Sequence, residues 1–296
     1  MPRDPKKNTR RRIQILFGLF LAGLLYVEFE FNQDYEPVVS KGIPVVLAAE
    51  PVDTNSFESL LRNKPLDALK DARDRLVREN RDYGCTFVKQ ERMPKGMSAE
   101  QEVEVLFRPE PYSVMMNWIR NPGMAQRVIY VKGKWVDETA ESAELREQAW
   151  CKPIKPLDLI VPKIKRPIHG PLAKKSSRRS IDQFGFKRAL DLLVHYSDLA
   201  EARNELDLAF KGETHFDGRP VWVIRRRLPY TGENGKYPDR IADIYIDKDY
   251  HVPVAVYCYS QDGAKPRDLL GKYEYRNVRF DLDLTDANFE PATYGM

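Results

Sequence analysis

Hydrophobic and polar residues recur along this chain with two different periods, and each change of period marks a predicted element. Apolar residues recur every three or four positions across residues 66–76, which predicts an amphipathic helix from Pro65 to about Asn80. The same spacing predicts a second helix over about 181–202. These two helices lie on either side of a long stretch in which the helical period is absent.

Between and after the helices, apolar and polar residues alternate, which is typical of half-buried antiparallel strands. Asp217-Gly218 and Asp262-Gly263 are turn signals between such runs. Two helices cannot cover both faces of roughly ten strands, so the pattern favours a curved sheet with helices on its concave face. The predicted strands are 102–107, 112–118, 128–131, 206–210, 219–224, 241–247, 252–259 and 269–280.

The N-terminal part of the chain is typical of a membrane signal. Residues 6–12 contain five basic residues and precede an apolar run at 13–27, which Phe29 and Phe31 extend. We therefore predict a basic cytoplasmic tail at 1–12, a signal anchor or uncleaved signal segment at 13–31, a linker at 32–53 and a β-rich domain at 54–296. No small-residue cleavage site follows the run closely, so a retained anchor is favoured over cleavage.

The charge of the chain does not indicate a nucleic-acid partner. The chain has 48 basic and 44 acidic residues, and residues 1–31 hold six and three of them, which leaves 42 and 41 over 32–296. The alkaline character therefore belongs largely to the N-terminal tail. Three cysteines, Cys85, Cys151 and Cys258, are too few for a disulfide framework. One alternative is a single disulfide between two of them, and the other is three free cysteines that act as small buried hydrophobic residues.

Residues 152–188 interrupt the alternating pattern with a basic, proline-rich insertion. This segment contains eleven basic residues, two acidic residues and five prolines, and such a proline density predicts little regular structure. Cations of this kind are attracted to anionic lipid headgroups, and the alternative is a solvated loop. The membrane-surface candidates are Lys163, Lys165, Arg166, Lys174, Lys175, Arg178 and Arg179.

The sequence carries no motif of a known catalytic, nucleotide-binding or metal-binding site. The four histidines are scattered, and the acidic residues near the C-terminus lack the glycine and the spacing of a calcium loop. We therefore predict a protein that is not an enzyme and needs neither a cofactor nor a metal.

Six segments of the chain together form a pattern seen in a known family. They are 82–92 (DYGCTFVKQER), 107–114 with Met116 and Trp118, 128–131 with Gly133, 217–220 with Trp222 and Val223, 245–248 with 252–254, and 271–275. In this order they resemble a bacterial family known as domain of unknown function 1571, and the resemblance as a whole covers about residues 55–291. The later segments also resemble, more distantly, periplasmic lipoprotein carriers of the LolA/LolB type.

The carrier resemblance implies an α+β fold, in which an unclosed antiparallel half-barrel has helices on its concave side. In such a fold, alternation places one set of apolar residues on a shared face, where they can line a cavity. The lipid-binding candidates are Val103, Val105, Phe107, Tyr112, Val114, Met116 and Trp118.

These features together give two interpretations of function. The first is a non-enzymatic, membrane-tethered envelope protein that binds a lipid or an acylated, lipoprotein-like ligand in the half-barrel. The alternative is a structural or protein-interaction module of the envelope whose core is filled by its own side chains. In both, the protein is a single-pass protein of the bacterial inner membrane with the bulk of the chain in the periplasm. Neither interpretation fixes the ligand or the oligomeric state.

Overall fold

The computed structural model describes residues 56–296, which belong to one compact unit. The tail, apolar segment and linker predicted over 1–53 lie outside the described residues. Within the described residues, no helix is long and apolar enough to span a bilayer.

The fold is a large antiparallel sheet with helices on one face, as the α+β prediction states. The helices are α1 (Phe57–Asn63), α2 (Pro65–Glu79), α3 (Pro171–Ser176) and α4 (Phe186–Glu201). The strands are β1 (Tyr83–Met93), β2 (Gly96–Met97), β3 (Gln101–Arg108), β4 (Ser113–Arg120), β5 (Ala125–Val131), β6 (Gln148–Pro153), β7 (Ile164–Pro167), β8 (Asp207–Phe216), β9 (Arg219–Arg227), β10 (Ile241–Asp247), β11 (Pro253–Tyr259) and β12 (Leu269–Phe280).

The sheet is unclosed, because its two end strands pair with only one neighbour each. The strand order is β7-β6-β5-β4-β3-β1-β12-β11-β10-β9-β8, and β2 pairs with the end of β1. Every described strand pair is antiparallel, and the central pair joins the first long strand, β1, to the last, β12. Hairpins therefore build each half, and one long-range pairing joins the halves.

Helices α2 and α4 cover one face of the sheet, which we call the helix-covered face. Helix α2 has Pro65 in its first turn and ends at Asn80, whose φ of 47° is left-handed. Its apolar stripe packs with that of α4 on the strand residues Ile224 and Ile244. Burial of these apolar stripes supplies much of the stabilisation of the helices.

The opposite face of β4 and β5 is covered by the C-terminal segment. Phe289 and Met296 pack there on Met115, Ile129 and Val131. Residues at both ends of the described chain thus pack on the sheet, although on opposite faces.

The prediction of little regular structure over 152–188 was wrong. The segment contains the end of β6, all of β7 and all of α3, and α4 begins within it. Its prolines fit because β7 is a short end strand that terminates at Pro167, and because Pro171 occupies the first turn of α3. The helix predicted from 181 begins only at Phe186, because Gly185 has a φ of 105°.

Candidate functional site

The structure brings the seven predicted cavity residues to the helix-covered face. Across β3 and β4, Val103 lies opposite Trp118, Val105 opposite Met116 and Phe107 opposite Val114. Opposed residues of an antiparallel pair project to the same side, so these six side chains share a face. Tyr112, in the connection between the strands, packs edge-on against the Phe107 ring at a centroid distance of 5.3 Å.

The side chains at the centre of this set are covered by the protein itself. Val114 is 0% exposed, Val103 1% and Val105 2%. Phe107 is buried as well, whereas Met116 and Trp118 are half-buried. The predicted cavity residues therefore form part of a packed core in this conformation.

A short segment, Phe184-Gly185-Phe186, packs in the same cluster, and we call it the aromatic plug. The Phe184 ring lies 5.1 Å from Phe87 and 5.7 Å from Tyr275, centroid to centroid. The Phe186 ring lies 4.4 Å from the same Tyr275 ring, centroid to centroid. Aromatic pairs at these separations and tilts stabilise a core beyond the area that they bury.

Glycine is required between the two plug residues. Gly185 has a φ of 105°, and a Cβ there would lie 3.1 Å from the Tyr83 hydroxyl and 3.2 Å from the Phe107 ring. Both the backbone conformation and the close approach of the rings therefore make any side chain at this position unfavourable.

The hydroxyls of Tyr112 and Ser177 connect residues 177–184, which lead into the plug, to the sheet. The Tyr112 hydroxyl lies 2.8 Å from the Ile181 carbonyl and 2.9 Å from the Phe184 carbonyl, and its single proton is donated to one of them at a time. Earlier in the sequence, the Ser177 hydroxyl donates a hydrogen bond of 2.9 Å to Glu91 Oε2.

Glu91 is a buried carboxylate with a complete set of donors. Its Oε1 accepts from the Tyr273 hydroxyl at 2.9 Å, and Lys89 Nζ lies 3.1 Å from Oε2. Burial alone would raise the pKa of Glu91, but Lys89 and the hydrogen bonds from Ser177 and Tyr273 outweigh it and hold the pKa below its ordinary value. The ionised Glu91 carboxylate therefore holds Ser177, at the start of the segment that leads into the plug, against β1.

A polar cleft of about 420 Å³ opens beside the plug. Strand β5 places Tyr130 in it, and the segment that precedes the plug places Asp182 there. The lining residues are Tyr112, Tyr130, Lys132, Ala143, Glu144, Glu147, His169, Asp182 and Arg188.

The acidic side chains of the cleft are engaged by neighbours. The Tyr130 hydroxyl donates to Glu147, and Lys174 Nζ lies 2.7 Å from Glu144. Asp182 accepts from the Ser180 hydroxyl, and His169 Nε2 lies 3.3 Å from its Oδ2.

The cleft cations are less engaged than the acids. Within residues 56–296, no ion pair is found for Lys132, and the carboxylate paired with Arg188 is that of Asp191, at 3.6 Å. Lys132 and Arg188 are thus the lining cations that can contact a bound carboxylate, in a cleft that also holds three acids, of which Glu147 is hydrogen-bonded to a neutral phenol.

No nucleophile is prepared in this cleft. Burial, together with the Glu147 hydrogen bond, raises the pKa of Tyr130, and burial raises that of Tyr112, so both phenols stay protonated at neutral pH. Over the described residues, no group of three metal-ligating side chains is found.

The seven predicted membrane-surface cations are spread over several elements. Lys163 and Lys165 lie over the Trp150 ring at 5.0 and 5.2 Å. Lys174 belongs to α3, and Arg178 donates to the Leu270 carbonyl at 3.0 Å. The remaining cations are Arg166 on β7, Lys175 on α3 and Arg179 in the segment after it.

Comparison with known proteins identifies the family. The family model described as "Protein of unknown function (DUF1571)" matches residues 80–294. The chain belongs to this family. The sequence resemblance to DUF1571 is thereby confirmed, whereas no curated protein matches the chain.

Solved structures similar to this DUF1571 member share little sequence with it. MucB matches at 15% identity and a TM-score of 0.43, over 76% of this chain and 62% of that chain, and the MucA/MucB complex of Pseudomonas aeruginosa matches similarly. This chain thus spans about three fifths of those proteins. A putative outer membrane lipoprotein-sorting protein domain from Vibrio parahaemolyticus matches at 12% identity and a TM-score of 0.35, over 78% and 98% of the two chains. A LolA superfamily protein from Nitrosomonas europaea matches at 10% and 0.26, over 77% and 98%.

Sequence reasoning missed the aromatic plug and the cleft. The available signal was a glycine between two phenylalanines just before the helical period of α4 begins. The cleft had no local signal, because its lining residues come from segments far apart in the sequence.

Proposed function

We propose that this protein is a non-enzymatic binding module of the bacterial cell envelope that recognises an acidic segment of a polypeptide in the polar cleft. Its helix-covered face serves as a self-packed core. The observation that carries this proposal is the aromatic plug, which occupies the place where a carrier would hold its ligand. This function corresponds to the protein-interaction interpretation of the sequence, and the cleft is where we expect the partner to bind.

The choice of an acidic polypeptide follows from the charges of the cleft. Its acids have close partners, whereas Lys132 and Arg188 can still receive a carboxylate. Its volume of about 420 Å³ is within the range of ordinary ligand sites and holds a few side chains. Carboxylates accept well-directed hydrogen bonds from a guanidinium, so Arg188 is the residue expected to fix the orientation of the bound segment.

An array of short synthetic peptides tests this proposal on the full chain. We expect binding to peptides that carry Asp or Glu, and we expect Arg188→Glu to abolish it. Lys211→Glu is the matched control, because Lys211 is an exposed cation on β8, outside the cleft. Equal binding by the parent and Arg188→Glu, or a preference for peptides without acids, would rule the cleft out as this site.

Lipid binding on the helix-covered face is the second candidate function, and one observation favours it. Residues 177–185 contain no α-helix or strand, and side-chain contacts with Glu91 and Tyr112 fasten them to the sheet. A segment held in this way can be displaced, which would open the face next to the half-buried Met116 and Trp118. Lipid bound in stoichiometric amount and lost in Val114→Phe would support this second candidate.

A further inference from the structure

We propose that the tip of two adjacent hairpins, β4–β5 and β6–β7, inserts into the surface of an anionic membrane. The apolar tip consists of Ile119, Met124, Leu157, Leu159, Ile160 and Val161. This inference is independent of the proposed function, because it uses other residues at another part of the molecule.

The sheet register brings the two hairpin connections together. Ala125 at the start of β5 lies opposite Pro153 at the end of β6, so residues 121–124 and 154–163 continue past the same end of the sheet. The Ile154 N–H, which donates to the Met124 carbonyl at 3.4 Å, joins the two connections directly.

The tip exposes an unusual amount of aliphatic surface. Leu159 is 81% exposed and Ile160 75%, and Ile119 and Met124 are about half exposed. Single exposed apolar residues are common in soluble proteins, but a group of them at one end marks a surface that meets another apolar phase.

Positive charge surrounds this apolar tip. Residues 152–167 contain five basic residues and one acid, Asp158; the basic residues are Lys152, Lys155, Lys163, Lys165 and Arg166. Apolar residues that enter the acyl boundary, together with cations at the phosphate level, are the combination that binds anionic bilayers.

The composition of the tip favours a bilayer over a protein partner. Protein interfaces concentrate their binding energy in Trp, Tyr and Arg, and the connection 154–163 contains none of these.

Site-specific fluorescence on the full chain tests this proposal without interference from the N-terminal segment. Ile160→Cys is labelled with the fluorophore NBD, and Val77→Cys, an exposed aliphatic position on α2, is the matched control. The native thiols compete poorly for the label, since burial raises the pKa of all three, that of Cys151 to about 11. The labelled proteins are reconstituted into vesicles of equal parts phosphatidylcholine and phosphatidylglycerol that contain a lipid with a nitroxide on its acyl chain.

We expect the nitroxide to quench most of the NBD emission at position 160 and almost none at position 77. In vesicles of phosphatidylcholine alone, quenching at 160 should fall sharply. Replacing Lys155 and Lys163 by Gln should weaken docking of the tip about 30-fold, from roughly 1 kcal/mol per cation near the surface, whereas Lys211→Gln should leave it unchanged.

Two results would overturn the proposal. One is equal, weak quenching at positions 160 and 77 in the anionic vesicles. The other is protection of NBD at 160 that needs no vesicles and increases with protein concentration, because that result would assign the tip to a second copy of the chain.

Discussion

Replacing Val114 by Phe tests whether the helix-covered face is a packed core. Val114 is fully buried between its strand neighbours Phe107 and Tyr130, and the plug closes the same cluster. A larger side chain has no space there, so we expect overpacking to reduce the free energy of unfolding by ~1–3 kcal/mol. In a domain of this size, each kcal/mol lowers Tm by ~2–4 °C, so the expected decrease is ~2–12 °C.

The assay is thermal unfolding of the full chain in detergent, followed by circular dichroism. Ile119→Phe is the matched control, since Ile119 lies on the same strand with half of its side chain exposed, and we expect it to change stability by less than about 0.5 kcal/mol. If Val114→Phe were as stable as the parent and had lost a lipid that the parent carries, the face would be an open cavity and the packed-core account would be refuted.

Three further substitutions test the contacts that hold the sheet and the plug. Lys272→Ala removes the 2.6 Å partner of Glu100 in a nearly buried pair, while Arg120 at 3.0 Å still contacts that carboxylate, so urea unfolding should show a loss of ~1.5–3 kcal/mol. Gly185→Ala places a side chain at a φ of 105°, which should cost about 1–3 kcal/mol from the backbone alone; no loss would contradict the plug geometry. Because the pKa of Glu91 is held below its ordinary 4.5, the stability from this group is fully present above pH 4.5 and is lost as pH falls through the folded pKa. The amide protection factors of residues 177–186, which are corrected for the intrinsic pH dependence of exchange, should therefore fall at acid pH in the parent, whereas in Glu91→Gln they should be low at all pH values.

Elements whose pattern is local could be predicted from the sequence. The ranges predicted for β10 and β12 agree with the structure, and so does the helix that begins at Pro65. The Asp217-Gly218 turn is confirmed, since both residues have a positive φ as a tight hairpin turn requires. In these cases the period of side chains or the chemistry of one turn decides the structure.

Features that depend on long-range packing could not be predicted. The central pairing of β1 with β12 joins residues nearly 200 positions apart, and no local pattern specifies it. The plug contacts Phe107 on β3 and Tyr83 on β1 across 77 and 103 positions, so alternation correctly placed Val105 on a face without showing what covers it. Proline density was misleading, because it signals irregular backbone only where the proline is not at an end strand or in the first turn of a helix.

Photolabelling by lipid is the most direct test of the central claim that the protein fills the helix-covered face of its sheet with its own side chains. The full chain is reconstituted into vesicles that contain a phospholipid with a diazirine on its acyl chain, irradiated, and mapped by mass spectrometry at the level of single residues. We expect no label on Val105, Val114 or Phe184, because these side chains belong to one cluster of buried residues and contact no lipid. Label on these residues would show an acyl chain on the helix-covered face and would contradict a core that the protein fills itself.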